Sequence, residues 1–139
     1  MKLLADTSAL LALVLRSDRN HDLAVRFLRR NQGTRFVVTD LILSEVVTRL
    51  RARADGRAAA ALGRDLLRSR RYELVFVDAD LADGALDRLE QFADKRLSFT
   101  DCVSFAVMRQ RQLTDALTAD RHFEQAGFRI LLLGEGREA

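Results

Sequence analysis

The sequence predicts an α/β protein of the doubly wound type, with a mainly parallel five-stranded sheet flanked by helices. Two observations predict this class. Short apolar runs alternate with helical patterns along the chain, and strands separated by helices need right-handed crossovers that build a parallel sheet covered on both faces. The 139 residues, 48% of them hydrophobic, suffice for one compact core, so we expect a single domain spanning residues 1–139.

The first half of the chain predicts two strands and four helices. A short buried strand covers residues 3–5, and Thr7 and Ser8 supply the cap of a helix at 9–15. The other elements of this half are a helix at 21–30, a strand at 36–38, and helices at 40–54 and 57–69, separated by a break at Asp55 and Gly56.

The second half predicts three more strands. The first covers 74–77 and leads into a helix that Asp80 caps and that runs to residue 94. Ser98 opens a helix whose apolar part is 102–110. The remaining elements are a strand at 116–118, a short helix at 121–125 and a strand at 128–133.

Four acidic residues lie just beyond predicted strands or in the helices that follow them: Asp6, Glu45, Asp101 and Asp120. Ligand sites of open parallel sheets form outside the carboxyl ends of the strands, so we expect these side chains to converge. Two carboxylates about 4 Å apart repel by about 4 kcal/mol at an effective dielectric of about 20. A divalent cation would neutralise the cluster, which predicts a Mg²⁺ site, with Mn²⁺ as an alternative.

Each acid also has an explanation that needs no metal. Asp6 and Asp120 precede helices and are suited to cap them. Asp101 stands at capping-box spacing from Ser98, and Glu45 lies on its helix opposite the apolar stripe, facing either solvent or a polar cleft. The helix that Asp101 begins is apolar nearly all round, however, so its carboxylate is predicted to lie centrally, where an uncompensated charge is costly.

Other candidate residues carry weaker signals. His21 and His122 have no Cys or His at metal-ligand spacing, which predicts surface or cap positions. Cys102 is predicted to be a small core residue, and Asp78 and Asp80 are predicted to be turn and cap residues.

The charge and the cysteine content indicate the class of partner and the cellular location. The net charge is +3, and all but two of the 23 basic residues are arginine, the side chain that binds phosphate bidentately, which favours a nucleic-acid partner. A lone cysteine, no signal-peptide pattern and no apolar run of membrane-spanning length predict a cytoplasmic protein without a membrane partner.

Residues 49–71 hold eight arginines against two acids, interleaved with leucines and alanines. This pattern is typical of a solvated helical face. It also suits a rim that attracts RNA phosphates, or a groove for the amphipathic helix of a protein partner. The sequence leaves these three interpretations open.

Four segments resemble the PIN-domain nucleases, and especially the VapC-type toxins of bacterial toxin–antitoxin systems. They are LADTSA at 4–9, SEV at 44–46, LSFTDCVSF at 97–105 and LTADRHF at 117–123. The resemblance implies a PIN-like sheet of order 3-2-1-4-5 and acidic-site positions at the four acids, with hydroxyl positions at Thr118, Thr7 and Ser8. It also implies a metal-dependent endoribonuclease that acts as a growth-inhibiting toxin, forms a homodimer and binds a VapB-like antitoxin.

In the expected mechanism, Asp6 and Asp101 hold the cation, Glu45 and Asp120 contribute directly or through water, and Thr118 orients the ligands. Two interpretations of other classes remain. One is a receiver-like Mg²⁺-binding signalling domain in which Asp78 accepts a phosphoryl group. The other is a non-catalytic RNA-binding module.

Overall fold

The computed structural model describes residues 1–132 and contains one sheet whose strands are all parallel. The strands are β1 (Lys2–Ala5), β2 (Arg35–Thr39), β3 (Tyr72–Val75), β4 (Asp115–Leu117) and β5 (Arg129–Ile130). Their order across the sheet is β3-β2-β1-β4-β5. The predicted fold class and strand order are therefore confirmed, and β1 is the central strand.

Seven helices connect these strands within the described residues. They are α1 (Thr7–Val14), α2 (His21–Arg30), α3 (Asp40–Arg53), α4 (Gly56–Arg68), α5 (Ala79–Gln91), α6 (Phe99–Gln110) and α7 (Arg121–Gln125). None of them is long and apolar enough to cross a membrane.

Two apolar clusters cover the two faces of the sheet. Phe36 and Val38 of β2 belong to the larger cluster, whereas Val37 between them belongs to the smaller one. Because successive side chains of a strand point to opposite faces, this division shows that helices cover both sides. Phe105 of α6 packs edge-on against Phe123 of α7, with ring centroids 4.9 Å apart, and this contact holds the start of α7 near α6.

The third strand lies two residues earlier than predicted. Its pairing with β2 runs from Phe36 opposite Tyr72 to Thr39 opposite Val75, and it ends there because β2 passes directly into α3. Phe76, predicted to be inside the strand, is 67% exposed. The predicted cap is also wrong, since Asp78 and not Asp80 caps α5, by accepting a bond from the Leu81 amide at 2.9 Å.

Other boundaries shift by one or a few residues. Helix α1 begins at Thr7, two residues before the predicted start, and β5 is two residues long because only Asp115 and Ala116 of β4 pair with it. The predicted end of β5 at Leu133 lies outside the described residues.

The arginine-rich segment 49–71 has its leucines mostly in the core. Leu50, Leu62 and Leu66 are at most 7% exposed, so they cannot line the apolar groove that the sequence suggested. Leu67 is the exception, at 54% exposure. All eight arginines are exposed, which agrees with a solvated face and leaves them accessible to phosphate.

Candidate active site

A cleft of about 300 Å³ lies at the carboxyl end of the central strands and brings all four predicted acids together. Hydroxyl and basic side chains complete its walls. The cleft is lined by Asp6, Glu45, Asp101 and Asp120, by Thr7, Ser8 and Ser98, and by Arg49, Arg96 and His122. The convergence predicted from strand ends is thus present in the structure.

Asp6 is placed by the end of β1. Its backbone N–H donates to the carbonyl of Leu117 at the end of β4, at 3.1 Å, and its side chain is 6% exposed. Asp6 is the N-cap residue of α1, yet its carboxylate makes no capping hydrogen bond. Helix capping therefore does not account for this buried acid.

A chain of hydroxyl groups holds the Asp6 carboxylate. The Thr118 hydroxyl donates to Asp6 Oδ2 at 3.0 Å and accepts from the Asp120 amide at 3.0 Å. With Asp6 ionised, the only proton of the Thr118 hydroxyl is used on Asp6, so the Ser8 hydroxyl is the donor in the 3.2 Å contact with Thr118. Ser8 in turn accepts from the Ala119 amide at 3.3 Å. The fully buried Thr118 thus has all its hydrogen-bonding capacity satisfied.

The electrostatic environment of Asp6 disfavours its charged form. The pKa of Asp6 is raised to about 7, chiefly by burial. The carboxylates of Asp101 and Asp120 contribute to this rise, and the Thr7 amide and the Thr118 hydroxyl oppose it. A cation bound beside Asp6 would favour the ionised form of this carboxylate.

This shift predicts how the metal-free protein responds to pH. The pKa of Asp6 is about 7 in the folded protein, against an ordinary value of 3.8 for an exposed aspartate. Its contribution to the free energy of unfolding is therefore fully present below about pH 4 and is lost as pH rises to about 7. Each pKa unit corresponds to about 1.4 kcal/mol. In EDTA, Asp6→Asn should therefore gain stability over the wild type as pH rises, reaching roughly 2–4 kcal/mol at pH 8. Urea unfolding at pH 4.5 and pH 8 measures this difference, and an equal difference at both pH values would contradict it.

Asp101 and Asp120 both cap helices, as the metal-free explanations predicted. Asp101 Oδ2 accepts from the Ser98 amide at 3.3 Å while Ser98 Oγ accepts from the Asp101 amide at 3.0 Å, a complete capping box. Asp120 Oδ1 accepts from the His122 amide at 2.9 Å. Each cap uses one carboxylate oxygen, so the capping and cation-binding interpretations do not compete. Burial raises the pKa of Asp101, and the charge of Asp120 adds to this.

His122 belongs to the cleft as well as to the cap region predicted for it, since its amide donates to the N-cap residue Asp120 of α7. Its Nδ1 lies 3.0 Å from Asp120 Oδ1, and a ring nitrogen lies within 4.8 Å of ligand oxygens from both Asp101 and Asp120. The search for Cys or His at ligand spacing missed it because its neighbours are carboxylates. Its place two residues after Asp120, within a single helical turn, was the available signal.

Glu45 reaches the cleft from α3, whose Ile42, Val46 and Leu50 face the core. The polar-cleft alternative for this face is therefore the one observed. One helical turn later, Arg49 Nη2 lies 3.0 Å from Glu45 Oε1. Arg49 and Arg96 were not predicted to line the cleft.

The remaining candidates lie elsewhere. Asp78 follows the edge strand β3 and caps α5, which does not place it for the phosphoacceptor role of a receiver-like domain. Cys102 is fully buried in the smaller apolar cluster, as predicted, and His21 Nδ1 bonds the Ala12 carbonyl at 2.7 Å.

The donor set of the cleft fits Mg²⁺ or Mn²⁺. These cations prefer hard oxygen ligands, and the cleft supplies four carboxylates. Thr7 is 3% exposed, and its Oγ1 has no hydrogen-bond partner within residues 1–132. A hydrated cation would supply the compensating charge for the acids and water molecules for such an oxygen.

Thr118 allows a sharp test of the hydroxyl chain. Thr118→Val leaves the Asp120 amide and Ser8 without their buried partner, so we expect a loss of about 1–3 kcal/mol in the free energy of unfolding. Mn²⁺ affinity should fall about 10- to 100-fold, because Asp6 loses the group that orients it. Thr118→Ser keeps the hydroxyl and serves as the matched control. Isothermal titration of both variants measures the affinity, and equal Mn²⁺ binding by the valine variant would refute this role.

Comparison with known proteins agrees with this geometry. Residues 3–129 match the family model of the PIN domain. The chain belongs to the PIN-domain family, a class of nucleases. It is 34% identical over 123 residues, 88% of this chain and 92% of the relative, to the 23S rRNA-specific endonuclease VapC20 of Mycobacterium tuberculosis. Within the family it is a VapC-type toxin and an RNA endonuclease, which confirms the predicted resemblance.

Solved structures show the same fold. The crystal structure of Mycobacterium tuberculosis VapC20, described as a sarcin-ricin loop cleaving toxin, superposes with a TM-score of 0.84 at 31% identity, over 91% of this chain and 95% of that one. FitAcB from Neisseria gonorrhoeae gives 0.65 at 16% identity, over 94% and 96%. A toxin–antitoxin complex from Klebsiella pneumoniae gives 0.61 at 17% identity, over 86% and 87%.

Proposed function

We propose that this protein is a divalent-metal-dependent endoribonuclease that hydrolyses RNA with water as the nucleophile, at the site formed by Asp6, Glu45, Asp101 and Asp120. The observation that carries the proposal is the buried Asp6, whose pKa of about 7 reflects burial and the two neighbouring carboxylates. A buried carboxylate is unfavourable by itself, and a bound cation would compensate its negative charge.

The residues of the proposed site have different roles. Asp6 and Asp101 would hold the cation, Mg²⁺ or Mn²⁺, with Glu45 and Asp120 contributing directly or through water. Bound there, the cation would orient the scissile phosphate, stabilise charge on its oxygens and lower the pKa of the attacking water. Thr118 fixes the rotation of the Asp6 carboxylate through its 3.0 Å hydrogen bond.

The reaction adds one water molecule across the phosphodiester bond. The water oxygen forms a bond to phosphorus, the bond from phosphorus to the 3′ oxygen breaks, and the two water protons are shared between the released 3′ oxygen and solvent. The products carry a 5′-phosphate and a 3′-hydroxyl. Activation of the substrate 2′-hydroxyl normally uses a His or Lys acid–base pair. The residues that line the cleft include one His, His122, and no Lys, so they do not provide such a pair.

The substrate is proposed from the named relative. VapC20 is 23S rRNA-specific and cleaves the sarcin-ricin loop, and the identity of 34% extends over nearly the whole chain. We therefore propose 23S rRNA as substrate, with the sarcin-ricin loop as the cleaved element.

A synthetic hairpin that carries the sarcin-ricin loop tests the substrate. We expect Mg²⁺-dependent cleavage at one position within the loop, with kcat/KM at least about tenfold above that for a hairpin of the same stem with a scrambled loop, a difference of about 1.4 kcal/mol. Asp101→Asn protein provides the background. Equal cleavage of both hairpins would reject the loop as the recognised element while leaving the nuclease assignment intact.

A protein partner and self-association follow from the VapC-type class. We propose that a VapB-like antitoxin binds this toxin in the cytoplasm and that the toxin forms a homodimer. Because Leu50, Leu62 and Leu66 are buried, we do not propose their side chains as antitoxin contacts. The exposed Leu67 and the arginines beside it on α4 offer a combined apolar and basic surface.

The alternative function, a non-catalytic RNA-binding module, predicts RNA binding that EDTA leaves unchanged.

A further inference from the structure

Two arginines line a cleft whose other charged groups are mainly acids. Arg49 reaches it from α3, and Arg96 reaches it from the loop between α5 and α6. A guanidinium near a cation site repels the cation, so these side chains weaken the binding of a metal by itself. They become favourable when an anionic ligand enters the same cleft.

Arg49 forms an ion pair that can be broken with little loss of free energy. Its pair with Glu45 joins side chains one helical turn apart, 57% and 30% exposed. Exposed ion pairs of this kind contribute little to stability. A guanidinium can instead form two parallel, charge-assisted bonds to a phosphate, which are individually stronger. We therefore expect an RNA phosphate to compete well with Glu45 for the Arg49 guanidinium.

Arg96 makes no hydrogen bond or ion pair to any residue within 1–132. It is exposed, although Asp101 and Asp120 line the same cleft. Its guanidinium is available to a ligand without the loss of an existing contact.

The cleft has room for such a ligand. Its volume of about 300 Å³ lies at the lower end of the range for small-molecule sites, about 300–1,000 Å³. This volume exceeds the needs of a hydrated cation and admits part of a nucleotide.

Building on the proposed endoribonuclease function, we propose that Arg49 and Arg96 bind RNA phosphates that flank the scissile phosphate, and that Arg49 exchanges its contact with Glu45 for a phosphate when RNA enters. The exchange frees Glu45 for the cation. RNA and cation then strengthen each other's binding, since coupling between two ligands is reciprocal.

Two binding measurements without turnover test this inference. The first titrates Mn²⁺ into RNA-free protein. Arg49→Ala should bind Mn²⁺ about three- to tenfold more tightly than wild type, because a repelling charge is removed and Glu45 is released. The second measures binding of the sarcin-ricin hairpin in EDTA at several salt concentrations. Arg49→Ala and Arg96→Ala should each weaken RNA binding about three- to tenfold and reduce the log–log salt slope by about 0.7, the value for one phosphate contact with a single strand.

Arg51→Ala is the matched control, since Arg51 is an exposed arginine of α3 that does not line the cleft. It should change neither measurement by more than about twofold. RNA affinity and salt slope unchanged in Arg49→Ala and Arg96→Ala would overturn the phosphate-binding role, and weaker Mn²⁺ binding by Arg49→Ala would overturn the exchange. A wild-type protein that binds RNA through these arginines but binds no Mn²⁺ would refute the proposed metal site and leave the phosphate-binding role standing.

Discussion

Replacement of Asp6 or Asp101 by asparagine is expected to lower RNA cleavage about a thousandfold or more while the protein stays folded. Both carboxylates lie in the cleft, and burial raises the pKa of each. The amide has the same shape but cannot offer the negative charge that the proposed cation requires. At pH 8 in EDTA, Asp6→Asn should also unfold at a higher urea concentration than wild type, so that loss of activity and gain of stability occur in one variant.

Asp80→Asn is the control for both substitutions. Asp80 also follows a strand and stands in the first turn of a helix, but it is exposed and lies outside the cleft. Its cleavage rate should stay within about twofold of wild type, as for an ordinary surface substitution. Cleavage by Asp101→Asn at a wild-type rate and matched concentration would remove Asp101 from the site.

Removal of divalent cations with EDTA is expected to abolish cleavage, and Mg²⁺ or Mn²⁺ in excess should restore it. The carboxylates proposed to hold the cation cannot by themselves stabilise the charge that develops on the phosphate oxygens. With water as nucleophile, the new ends should be 5′-phosphate and 3′-hydroxyl.

The chemistry of the ends separates this mechanism from a metal-independent one. End-labelling of the hairpin fragments before and after phosphatase treatment identifies the groups. A 2′,3′-cyclic phosphate as the main product would rule out the water-based mechanism, even if the rate depended on Mg²⁺. Unchanged cleavage in EDTA would rule out the cation.

Much of the site was predictable because strand ends are visible in the sequence. Asp6 and Asp120 directly follow apolar runs, and the topology of a parallel sheet brings such positions to one edge. Asp101 was predictable for a different reason, since the apolar surroundings of its helix indicated that its N-terminus is central. In both cases a local pattern was sufficient.

The basic residues of the cleft were not predictable in the same way. Arg49 is one of eight arginines in residues 49–71, and only its position one helical turn after Glu45 distinguishes it from Arg51. Arg96 lies in a loop, whose path depends on contacts that no periodic pattern records. The length of β3 likewise depended on its pairing with β2, which ends at Thr39.

When Asp6 is ionised, every proton in the hydroxyl chain points from the Ala119 amide through Ser8 and Thr118 towards Asp6 Oδ2. When Asp6 is neutral, the two hydroxyl bonds can reverse, because Oδ2 can then donate to Thr118 and Thr118 can donate to Ser8. An asparagine at this position can likewise bond Thr118 through its carbonyl oxygen or through its amide nitrogen. In the first orientation it presents N–H donors where the carboxylate has its second oxygen, and in both orientations it lacks the carboxylate charge. Added metal would therefore not restore the wild-type site.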